Sequence, residues 1–304
     1  MRRIQHLSGD LAVDRRAAFA EAMAVERDFA AAAEVMAGAV EAAPHWAAGW
    51  LLLGDYRMEA GDSAGAMAAY RQVQALDAEG VFGAATKLAA HGATVPTGTD
   101  RPYVEALFDE YAPRFEKELV QDLGYSVPPV LGQMIREALG GARVARAVDL
   151  GCGTGLMGAE MRALCDRLDG VDLSARMLAV AGRKGLYDRL EQGELQGFLA
   201  DDPGGIGLIT AADVLIYCGP LPPVLAAVHR ALVPGGLFGF SLEVHERPGT
   251  LLQRRELRYA HNAHEALAAC ADAGFDLVAS RRLAIRRERN RPVDGLAAVV
   301  RRPA

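Results

Sequence analysis

The stretch that decides the fold reads Ala147-Val148-Asp149-Leu150-Gly151-Cys152-Gly153-Thr154-Gly155-Leu156-Met157-Gly158. Apolar residues lead into Asp149, glycines then occupy every second position, and an apolar-periodic stretch follows. This order predicts a buried parallel strand, a tight turn and the start of a helix. Glycine lets the backbone approach a ligand closely, and the N–H groups at a helix start are available to bind it. The stretch therefore predicts a ligand site at the end of the first strand.

Two templates fit these glycines. Gly153, Gly155 and Gly158 satisfy the dinucleotide fingerprint G-x-G-x-x-G, with Asp172 at about the expected distance. The stretch as a whole resembles motif I of the class I S-adenosylmethionine (SAM) dependent methyltransferases, D/E-x-G-x-G-x-G. The acid of the motif is matched by Asp149, and its three glycines by Gly151, Gly153 and Gly155. A pyrophosphate binder has little need of the acid, whereas SAM carries a charged amine that Asp149 could hold directly or through water. A nicotinamide oxidoreductase stays as an alternative.

Further matches to this family follow along the chain. The segment 169–174 resembles the second strand, and the resemblance implies that Asp172 grips the ribose hydroxyls and that Leu173 lies beside them. The segment 192–195 resembles the family's G-D-x segment, which implies that Glu194 and Leu195 contact adenine; Asp201 is the competing acid. The segment 233–238 matches the L-x-P-G-G turn before the fifth strand. The expected cofactor is therefore SAM.

A helical lid is predicted at about 102–120. Residues 102–115 resemble the N-terminal lid of small-molecule methyltransferases, F-D-x-Y-A-x-x-F. Tyr111 and Phe115 are i, i+4 neighbours on one helical face. The resemblance implies that Tyr111 and Arg114 lie at the cofactor and Phe115 at the acceptor; the alternatives are core packing for the aromatic pair and solvation for Arg114.

From Ala147 onward, strands and helices alternate, which predicts a mostly parallel sheet covered on both faces. The expected fold of residues 96–304 is α/β, Rossmann-like and doubly wound, with a seven-stranded sheet and a closing antiparallel hairpin. We expect that hairpin to join strands 283–289 and 296–302 through residues 290–295, in which Asp294-Gly295 is the turn signal.

Residues 1–95 predict a separate helical domain, because they are rich in alanine and show helical periodicity. They resemble two tetratricopeptide (TPR) repeats, at about 13–46 and 47–80, with small residues at Ala32 and Ala66. Such a domain binds a peptide in a groove, or else serves self-association or caps the catalytic domain. A Gly- and Pro-punctuated linker is predicted at about 91–100.

Acceptor contacts are expected after the fourth and fifth strands, because open α/β sheets place substrates at that edge. The candidates are Asp213, Tyr217, Glu243, His245, Tyr259, His261 and His264. His245 and His261 are the candidate bases, since histidine titrates near neutrality. Arg254, Arg255 and Arg258 could recognise a carboxylate or phosphate on the acceptor, or could form a solvated face. Methyl transfer from SAM needs no metal, and none is expected.

The composition limits the other classes. A net charge of −6 and a pI near 5.7 give no overall attraction to nucleic acid or to anionic membranes. Four widely spaced cysteines form no C-x-x-C pair, and the first ten residues lack an apolar signal core, so a cytoplasmic protein is expected. The predicted function is methyl transfer to a small-molecule acceptor, which could carry an acidic group. The alternatives are a protein or carrier-bound acceptor recruited by the helical domain, and a SAM-binding adaptor without catalysis.

Overall fold

The computed structural model describes residues 7–92, 98–202, 204–253 and 256–304. The chain divides into two compact units, Met1–Leu107 and Phe108–Ala304. The boundary between the units lies within a helix, Arg101–Tyr111, rather than in the predicted linker. The predicted boundary at 95–96 falls among residues 93–97, outside the described residues.

The first unit is helical, as predicted. Three of its helices begin where a short acidic residue caps them: the carboxylates of Asp10, Asp28 and Asp62 accept backbone N–H groups of the helices Leu11–Val25, Phe29–Ala42 and Ser63–Leu76. The helices are α1 Leu11–Val25, α2 Phe29–Ala42, α3 Ala47–Glu59, α4 Ser63–Leu76 and α5 Ala84–Ala90. Helices α1 with α2, and α3 with α4, pack as successive hairpins. The TPR character of these hairpins stays a prediction.

Small residues bring these helices together. Ala32 and Ala66, the small residues at matching positions of the two predicted repeats, are completely buried. Gly54 packs against Tyr70, because a Cβ added at Gly54 would come within 2.4 Å of the tyrosine ring. The small side chains therefore set the close approach of each helix to its neighbour.

The second unit contains a single twisted sheet of nine strands among the described residues, rather than the predicted seven. Five of its pairings are parallel and three are antiparallel. The order is β3-β2-β1-β4-β5-β7-β6, with β9 pairing both β5 and β8. The strands are β1 Val144–Leu150, β2 Cys165–Asp172, β3 Arg189–Gln192, β4 Ile206–Ala211, β5 Leu232–His245, β6 Thr250–Leu252, β7 Tyr259–Asn262, β8 Asp276–Glu288 and β9 Arg291–Arg301. The two unpredicted strands, β6 and β7, are too short to show a period of two.

The closing hairpin is present, but the predicted turn at Asp294-Gly295 is wrong. The turn lies at Arg289 and Asn290, both with positive φ (47° and 63°), as a two-residue turn of matching twist requires. Gly295 lies inside β9 instead. A Cβ there would come within 2.1 Å of the Ile285 side chain, so this glycine serves strand packing.

Both faces of the sheet are covered, as predicted. Along β1, Val148 and Leu150 join one buried cluster and Ala147 joins the other, which is the alternation of a strand buried on two sides. The helices of this unit, after α6 Arg101–Tyr111 and a π-helical turn Lys117–Asp122, are α7 Val127–Leu139, α8 Leu156–Met161, α9 Ala175–Arg183, α10 Leu195–Asp201, α11 Pro222–Ala231 and α12 Ala263–Asp272. The parallel strands therefore end along one edge, where loops carry the polar side chains.

Candidate functional site

The glycine loop follows β1 with backbone angles that need glycine. Gly151, Gly153 and Gly155 have φ of 62°, 53° and 91°, in the left-handed region. A Cβ at Gly151 would strike Val214 at 2.4 Å, whereas Gly153 has no atom within 4 Å of the Cβ position. The neighbouring Thr154 hydroxyl is buried and has no hydrogen-bond partner within the described residues. An open glycine beside an unpaired hydroxyl is a place where a ligand can meet the backbone.

Tyr187 lies beneath this loop and was missed by sequence reasoning. A Cβ at Gly158 would come within 2.2 Å of its hydroxyl oxygen, and one at Gly170 within 2.9 Å of its ring. The Tyr187 hydroxyl donates to Asp149 Oδ2 at 2.7 Å. Two of the glycines near the motif therefore make room for a tyrosine rather than for a ligand. Nothing in the local sequence around Tyr187 indicates this role.

Asp149 is held under the loop, at 1% exposure. Besides the bond from Tyr187, its Oδ1 accepts from the Thr210 hydroxyl at 2.7 Å. Burial raises the pKa of Asp149 to about 6, and the hydrogen bonds from Thr210 and Tyr187 oppose that rise. Each carboxylate oxygen of Asp149 thus accepts one hydrogen bond from the protein, which fixes the side chain beneath the loop.

Asp172 ends β2 and ties that strand to the glycine loop. Its two oxygens accept the backbone N–H groups of Gly153 and Ser174, each at 2.8 Å. Burial raises the pKa of Asp172, and these N–H groups oppose the rise. Each oxygen keeps a second lone pair that a ribose hydroxyl could use. The next residue, Leu173, is half-buried, and its carbonyl accepts from Gln192.

The two competing acids after β3 occupy different places. Glu194 follows the end of β3 directly and caps α10, where its Oε2 accepts the Gly197 N–H at 2.9 Å. Asp201 is exposed at the far end of that helix. Leu195 packs partly against the core beside Glu194. The position at the strand end favours Glu194 as the acid nearer the glycine loop.

The predicted lid is folded onto α9. In the segment Phe108–Asp122, Asp109 Oδ1 accepts from the Ser174 hydroxyl at 2.5 Å and from the Arg176 N–H at 3.2 Å. Farther along, Glu116 pairs with Lys184 at the end of α9. Asp109 was not among the predicted site residues, although it bonds the residue that follows Asp172 and Leu173. The lid is therefore anchored at both ends of α9.

Aromatic side chains of the lid stack toward the residues after β4. The Tyr111 and Phe115 rings are 5.3 Å apart, and Phe108 lies 5.6 Å from Tyr217, both edge to face. Arg114 is engaged within the lid itself, with Glu118 at 3.1 Å and Glu110 at 3.8 Å. The structure thus brings the predicted residues Tyr111, Phe115 and Tyr217 into one group, and it pairs Arg114 with two acids of the lid.

A buried ion-pair cluster occupies the expected acceptor edge. It joins residues from the ends of β4, β5 and β8 and from the segment before β7: Asp213, Glu243, Arg258, Arg286 and Glu288. Arg286 is central, because it binds both oxygens of Asp213 (3.1 and 2.8 Å), Glu288 at 2.9 Å, and Glu243. Asp213 also has a left-handed φ of 61°, a conformation that aspartate tolerates at a cost. Three acids face two arginines, so the cluster has a net charge of −1 when all five groups are charged.

This cluster corrects one expectation about the arginines. Arg258 is not available for an acceptor anion, since it pairs with Glu243 at 2.8 Å and with Glu288 at 2.6 Å. Arg254 and Arg255 lie outside the described residues. Arg286 organises the site, but the sequence predicts it only as one residue of a strand in the closing hairpin. A buried arginine leaves no local signal in a strand that carries many exposed ones.

The two candidate bases, His261 and His245, differ in whether the ring nitrogen without a hydrogen-bond partner carries a proton. His261 on β7 is 3% exposed, and its Nε2 faces the Gly219 carbonyl oxygen at 2.9 Å, which assigns the proton to Nε2. Its Nδ1 is therefore an unprotonated acceptor, buried and without a partner. In His245 the Nδ1 accepts the Arg247 N–H at 3.1 Å, so the unpartnered Nε2 carries the proton. Only His261 presents a free lone pair.

The environment keeps His261 neutral. Burial lowers the pKa of His261, and the hydrogen bond to Gly219 acts in the opposite direction. Two further acceptor candidates differ in exposure. Tyr259 is 1% exposed within the core, and His264 is exposed at the start of α12. In the described part of the chain, no group of histidine, cysteine and acidic side chains is arranged to hold a metal.

With this geometry established, comparison with known proteins identifies part of the second unit. Residues 148–238, which run from β1 into β5, match the family model described as "Methyltransferase domain". The second unit contains a class I SAM-dependent methyltransferase domain. The cofactor of such a domain is SAM, as predicted. In this methyltransferase domain the open Gly153 and the unpaired Thr154 hydroxyl follow the end of β1, and the Asp172 carboxylate ends the neighbouring β2. Together they form a donor and acceptor set that fits the cofactor.

Curated relatives match the same part of the chain. The ubiquinone biosynthesis O-methyltransferase of Burkholderia orbicola (strain MC0-3) is 30% identical over 100 residues, which is 32% of this chain and 43% of that protein. The malonyl-[acyl-carrier protein] O-methyltransferase of Pectobacterium atrosepticum is 33% identical over 97 residues, 32% of this chain and 38% of that protein. The chain thus spans about two fifths of the length of the relatives that it matches.

Solved structures share the fold. The [4+2]-cyclase SpnF aligns with a TM-score of 0.53 at 15% identity, over 66% of this chain and 96% of its own. A SAM-dependent methyltransferase from Clostridium acetobutylicum aligns with a TM-score of 0.50 at 15% identity, over 65% of this chain and 100% of its own. No described helix is both long enough and apolar enough to cross a membrane.

Proposed function

We propose that this protein transfers the methyl group of SAM to a small-molecule acceptor. The observation that carries the proposal is the coincidence, at one edge of one sheet, of a ligand-ready glycine loop and a buried histidine with a free lone pair. SAM supplies a methyl group already activated by a sulfonium, so the protein needs chiefly to align the acceptor and to take its proton.

The cofactor residues would act in two layers. Gly153, Thr154, Asp172 and Glu194 would meet the cofactor, the last two at its ribose and its adenine. Gly151 and Gly155 shape the loop, and Asp149 supports it from below through Tyr187 and Thr210. Leu173 and Leu195 flank the two acids. Among the lid residues, Tyr111 and Phe115 would close the site, whereas Arg114 would act within the lid because its charge is already paired.

His261 is the proposed base. Its Nδ1 is unprotonated, buried and unpartnered, and its lowered pKa keeps it neutral at physiological pH. His245, whose free nitrogen carries a proton, would instead donate a hydrogen bond to the acceptor. Asp213 and Tyr217 would line the acceptor side, with Asp213 fixed by Arg286. Tyr259 would support this wall from the core.

The acceptor itself is proposed to be a hydroxyl-bearing small molecule. The names of the curated relatives include O-methyltransferases of ubiquinone biosynthesis and of malonyl-[acyl-carrier protein]. The second name supports an acceptor presented on a carrier, which the helical unit could recruit if its hairpins act as TPR repeats. An acidic acceptor has no support from Arg258, since both of its partners are acids.

A second candidate is a SAM-binding protein without methyl transfer. The similarity in fold to SpnF supports this candidate, because SpnF is named as a [4+2]-cyclase and the same fold therefore serves chemistry other than methyl transfer. The discriminating residue is His261, whose free lone pair has no use in an adaptor.

The test is transfer of labelled methyl from SAM to a panel of phenols, hydroxy acids, amines and thiols by the full chain. We expect labelling of a hydroxyl acceptor, and a loss of about 10²–10⁴-fold in kcat for His261→Gln with little change in KM. His264→Gln, an exposed histidine on the next helix, is the matched control. Equal kcat in both variants would remove His261 as the base, and cofactor binding without labelling of any acceptor would favour the adaptor.

A further inference from the structure

Tyr125 lies in the short segment between the lid and α7, and this segment runs alongside β8. Two backbone hydrogen bonds hold it there, from the Arg287 N–H to the Leu123 carbonyl oxygen (2.7 Å) and from the Ser126 N–H to the Ile285 carbonyl oxygen (3.0 Å). The two bonded positions of β8 flank Arg286. The segment therefore sets Tyr125 opposite Arg286, the central residue of the buried ion-pair cluster.

The lid and the core fix Tyr125 from two further sides. Its N–H donates to the Leu119 carbonyl oxygen at 3.0 Å, within the π-helical turn Lys117–Asp122 of the lid. Its ring is half-buried and packs against the apolar cluster that contains Leu131 of α7. The side chain is therefore held between the lid, the core and β8, so its hydroxyl has a defined position.

The Tyr125 hydroxyl lies within reach of charges from both halves of the sheet edge. Asp149 lies on β1 beside the glycine loop, whereas Asp213 follows β4. These two strands are neighbours at the point where the strand order reverses, and open α/β sheets bind ligands in the crevice at that point. Burial raises the pKa of Tyr125 well above its ordinary value; the charges of Asp213 and Asp149 raise it further, and a neighbouring arginine opposes the rise. The hydroxyl therefore keeps its proton and is a hydrogen-bond donor in this crevice.

The described residues offer this donor no partner. None of them forms a hydrogen bond with the Tyr125 hydroxyl, and its oxygen is not one of the unpaired polar atoms that are closed off from solvent. The carboxylates around it are already engaged, Asp149 by two hydroxyl groups and Asp213 by Arg286. A donor that is held in place, keeps its proton and opens onto the ligand crevice is available to an oxygen of a bound ligand.

We propose that Tyr125 is a further substrate-binding residue at the reacting centre, where its hydroxyl donates a hydrogen bond to the acceptor oxygen that becomes methylated. This inference rests on the proposed function. In the transfer, that oxygen forms a bond to the methyl carbon while the S–CH₃ bond breaks and leaves its electron pair on sulfur. The acceptor proton goes to the base, and Tyr125 keeps its own. A hydrogen bond to one lone pair of the oxygen orients the other lone pair toward the methyl group.

The charge of the neighbouring cluster distinguishes the acceptor from the carboxylate of the cofactor. The cluster opposite Tyr125 holds three acids and two arginines, so its net charge is −1 when all five groups are charged. Such surroundings repel a carboxylate but not a neutral hydroxyl. Sulfur is a weak hydrogen-bond acceptor, so the Tyr125 hydroxyl also favours a hydroxyl acceptor over a thiol.

The first test compares Tyr125→Phe with the wild type in the full chain. The substitution removes the hydroxyl and keeps the packed ring. For the hydroxyl acceptor that the wild type labels, we expect kcat/KM to fall by at least about tenfold, because the oxygen is no longer oriented. Binding of S-adenosylhomocysteine should stay within about threefold of the wild type. Tyr70→Phe is the matched control and should change neither value, since the Tyr70 hydroxyl donates to Asp55 at 2.8 Å in the helical unit.

The second test separates contact with the acceptor from a structural effect. The acceptor, and an analogue with hydrogen in place of the reacting hydroxyl, are each titrated onto the complex of the protein with S-adenosylhomocysteine. We expect Tyr125→Phe to weaken binding of the acceptor by about three- to tenfold and binding of the analogue by less than about twofold. Equal weakening of both would overturn the proposal. A loss of more than about threefold in the affinity for S-adenosylhomocysteine would overturn it too, because the hydroxyl would then serve the cofactor.

Failure of this inference and failure of the proposed function give different results. A wild type that transfers methyl to no acceptor would refute the proposed function, and the inference would fall with it. Transfer by the wild type together with an unchanged kcat/KM in Tyr125→Phe would overturn the role of Tyr125 alone.

Discussion

The cofactor half and the acceptor half of the sheet edge are built in different ways. On the cofactor side, the Gly153 N–H of the glycine motif donates to the Asp172 carboxylate, which lies 19 residues on, at the end of the next strand. On the acceptor side, Arg286 reaches back 73 residues to Asp213 and 43 to Glu243. The cofactor half is therefore visible in a short stretch of sequence, whereas the acceptor half exists only after the closing hairpin has docked.

The largest effect should come from breaking the acceptor half. Arg286→Met would leave Asp213 and Glu243 buried without their common partner, and we expect a loss of about 3–5 kcal/mol in the free energy of unfolding. The loss should shrink toward pH 5, because burial raises the pKa of Asp213, and without its arginine this carboxylate can then bind a proton. Urea denaturation at pH 8 and pH 5 measures both values.

Arg282→Met is the matched control for this variant. Arg282 lies on the same strand but pairs with Glu246 at the surface, where the side chains are 54% and 79% exposed. Its loss should stay below about 1 kcal/mol at either pH. If the two variants cost the same, the buried cluster does not hold the acceptor half together.

In contrast to Arg286→Met, Asp149→Asn should increase the free energy of unfolding at neutral pH. The folded protein holds the pKa of Asp149 at about 6, above the unfolded value of about 3.9, so the native state binds the proton more tightly. This preference stabilises the fold at low pH and is lost as the pH rises from about 4 to 6. At pH 7 the neutral amide should therefore raise the free energy of unfolding by about 1–3 kcal/mol.

The same substitution separates support from binding. If Asp149 only supports the loop, Asp149→Asn should leave the affinity for S-adenosylhomocysteine within about threefold of the wild type. A large loss of affinity with raised stability would show that the carboxylate itself holds the charged amine. Thermal unfolding at pH 5 and pH 7, with and without ligand, gives both quantities.

The smallest effect is expected for Tyr187→Phe. Removing the hydroxyl leaves one Asp149 oxygen without its donor, which should cost about 1–2 kcal/mol in the free energy of unfolding and raise the pKa of Asp149 further. The cost should fall below pH 6, where Asp149 becomes protonated. A cost that does not vary with pH would mean that the tyrosine serves packing against Gly158 and Gly170 alone.

The same contrast explains what the sequence could predict. The glycine stretch, the acid at the end of β2 and the doubly wound order of strands rest on local periodicity, and the comparisons support this fold. Tyr187 and Arg286 were not predicted, because their partners lie 38 and 43 to 73 residues away and no local pattern marks them. The false turn at Asp294-Gly295 arose because a glycine chosen for packing against Ile285 looks the same in sequence as one chosen for a turn.

The count of strands shows a further limit. Strands β6 and β7 have three and four residues, so neither contains enough positions to display an alternating pattern. Their place is fixed by pairing, since β7 lies alongside the end of β5 from Glu243 to His245. That pairing is what buries His261 next to the acceptor edge, and it could not be predicted from the residues alone.

The most direct measurement is a calorimetric titration of the full chain with S-adenosylhomocysteine, beside Asp172→Ala and with NADH as the competing ligand. We expect the wild type to bind S-adenosylhomocysteine and not NADH, and Asp172→Ala to lose about 2–4 kcal/mol of binding free energy as two charge-assisted hydrogen bonds disappear. Binding of NADH in place of S-adenosylhomocysteine, or an unchanged affinity in Asp172→Ala, would contradict the cofactor site described for this edge of the sheet.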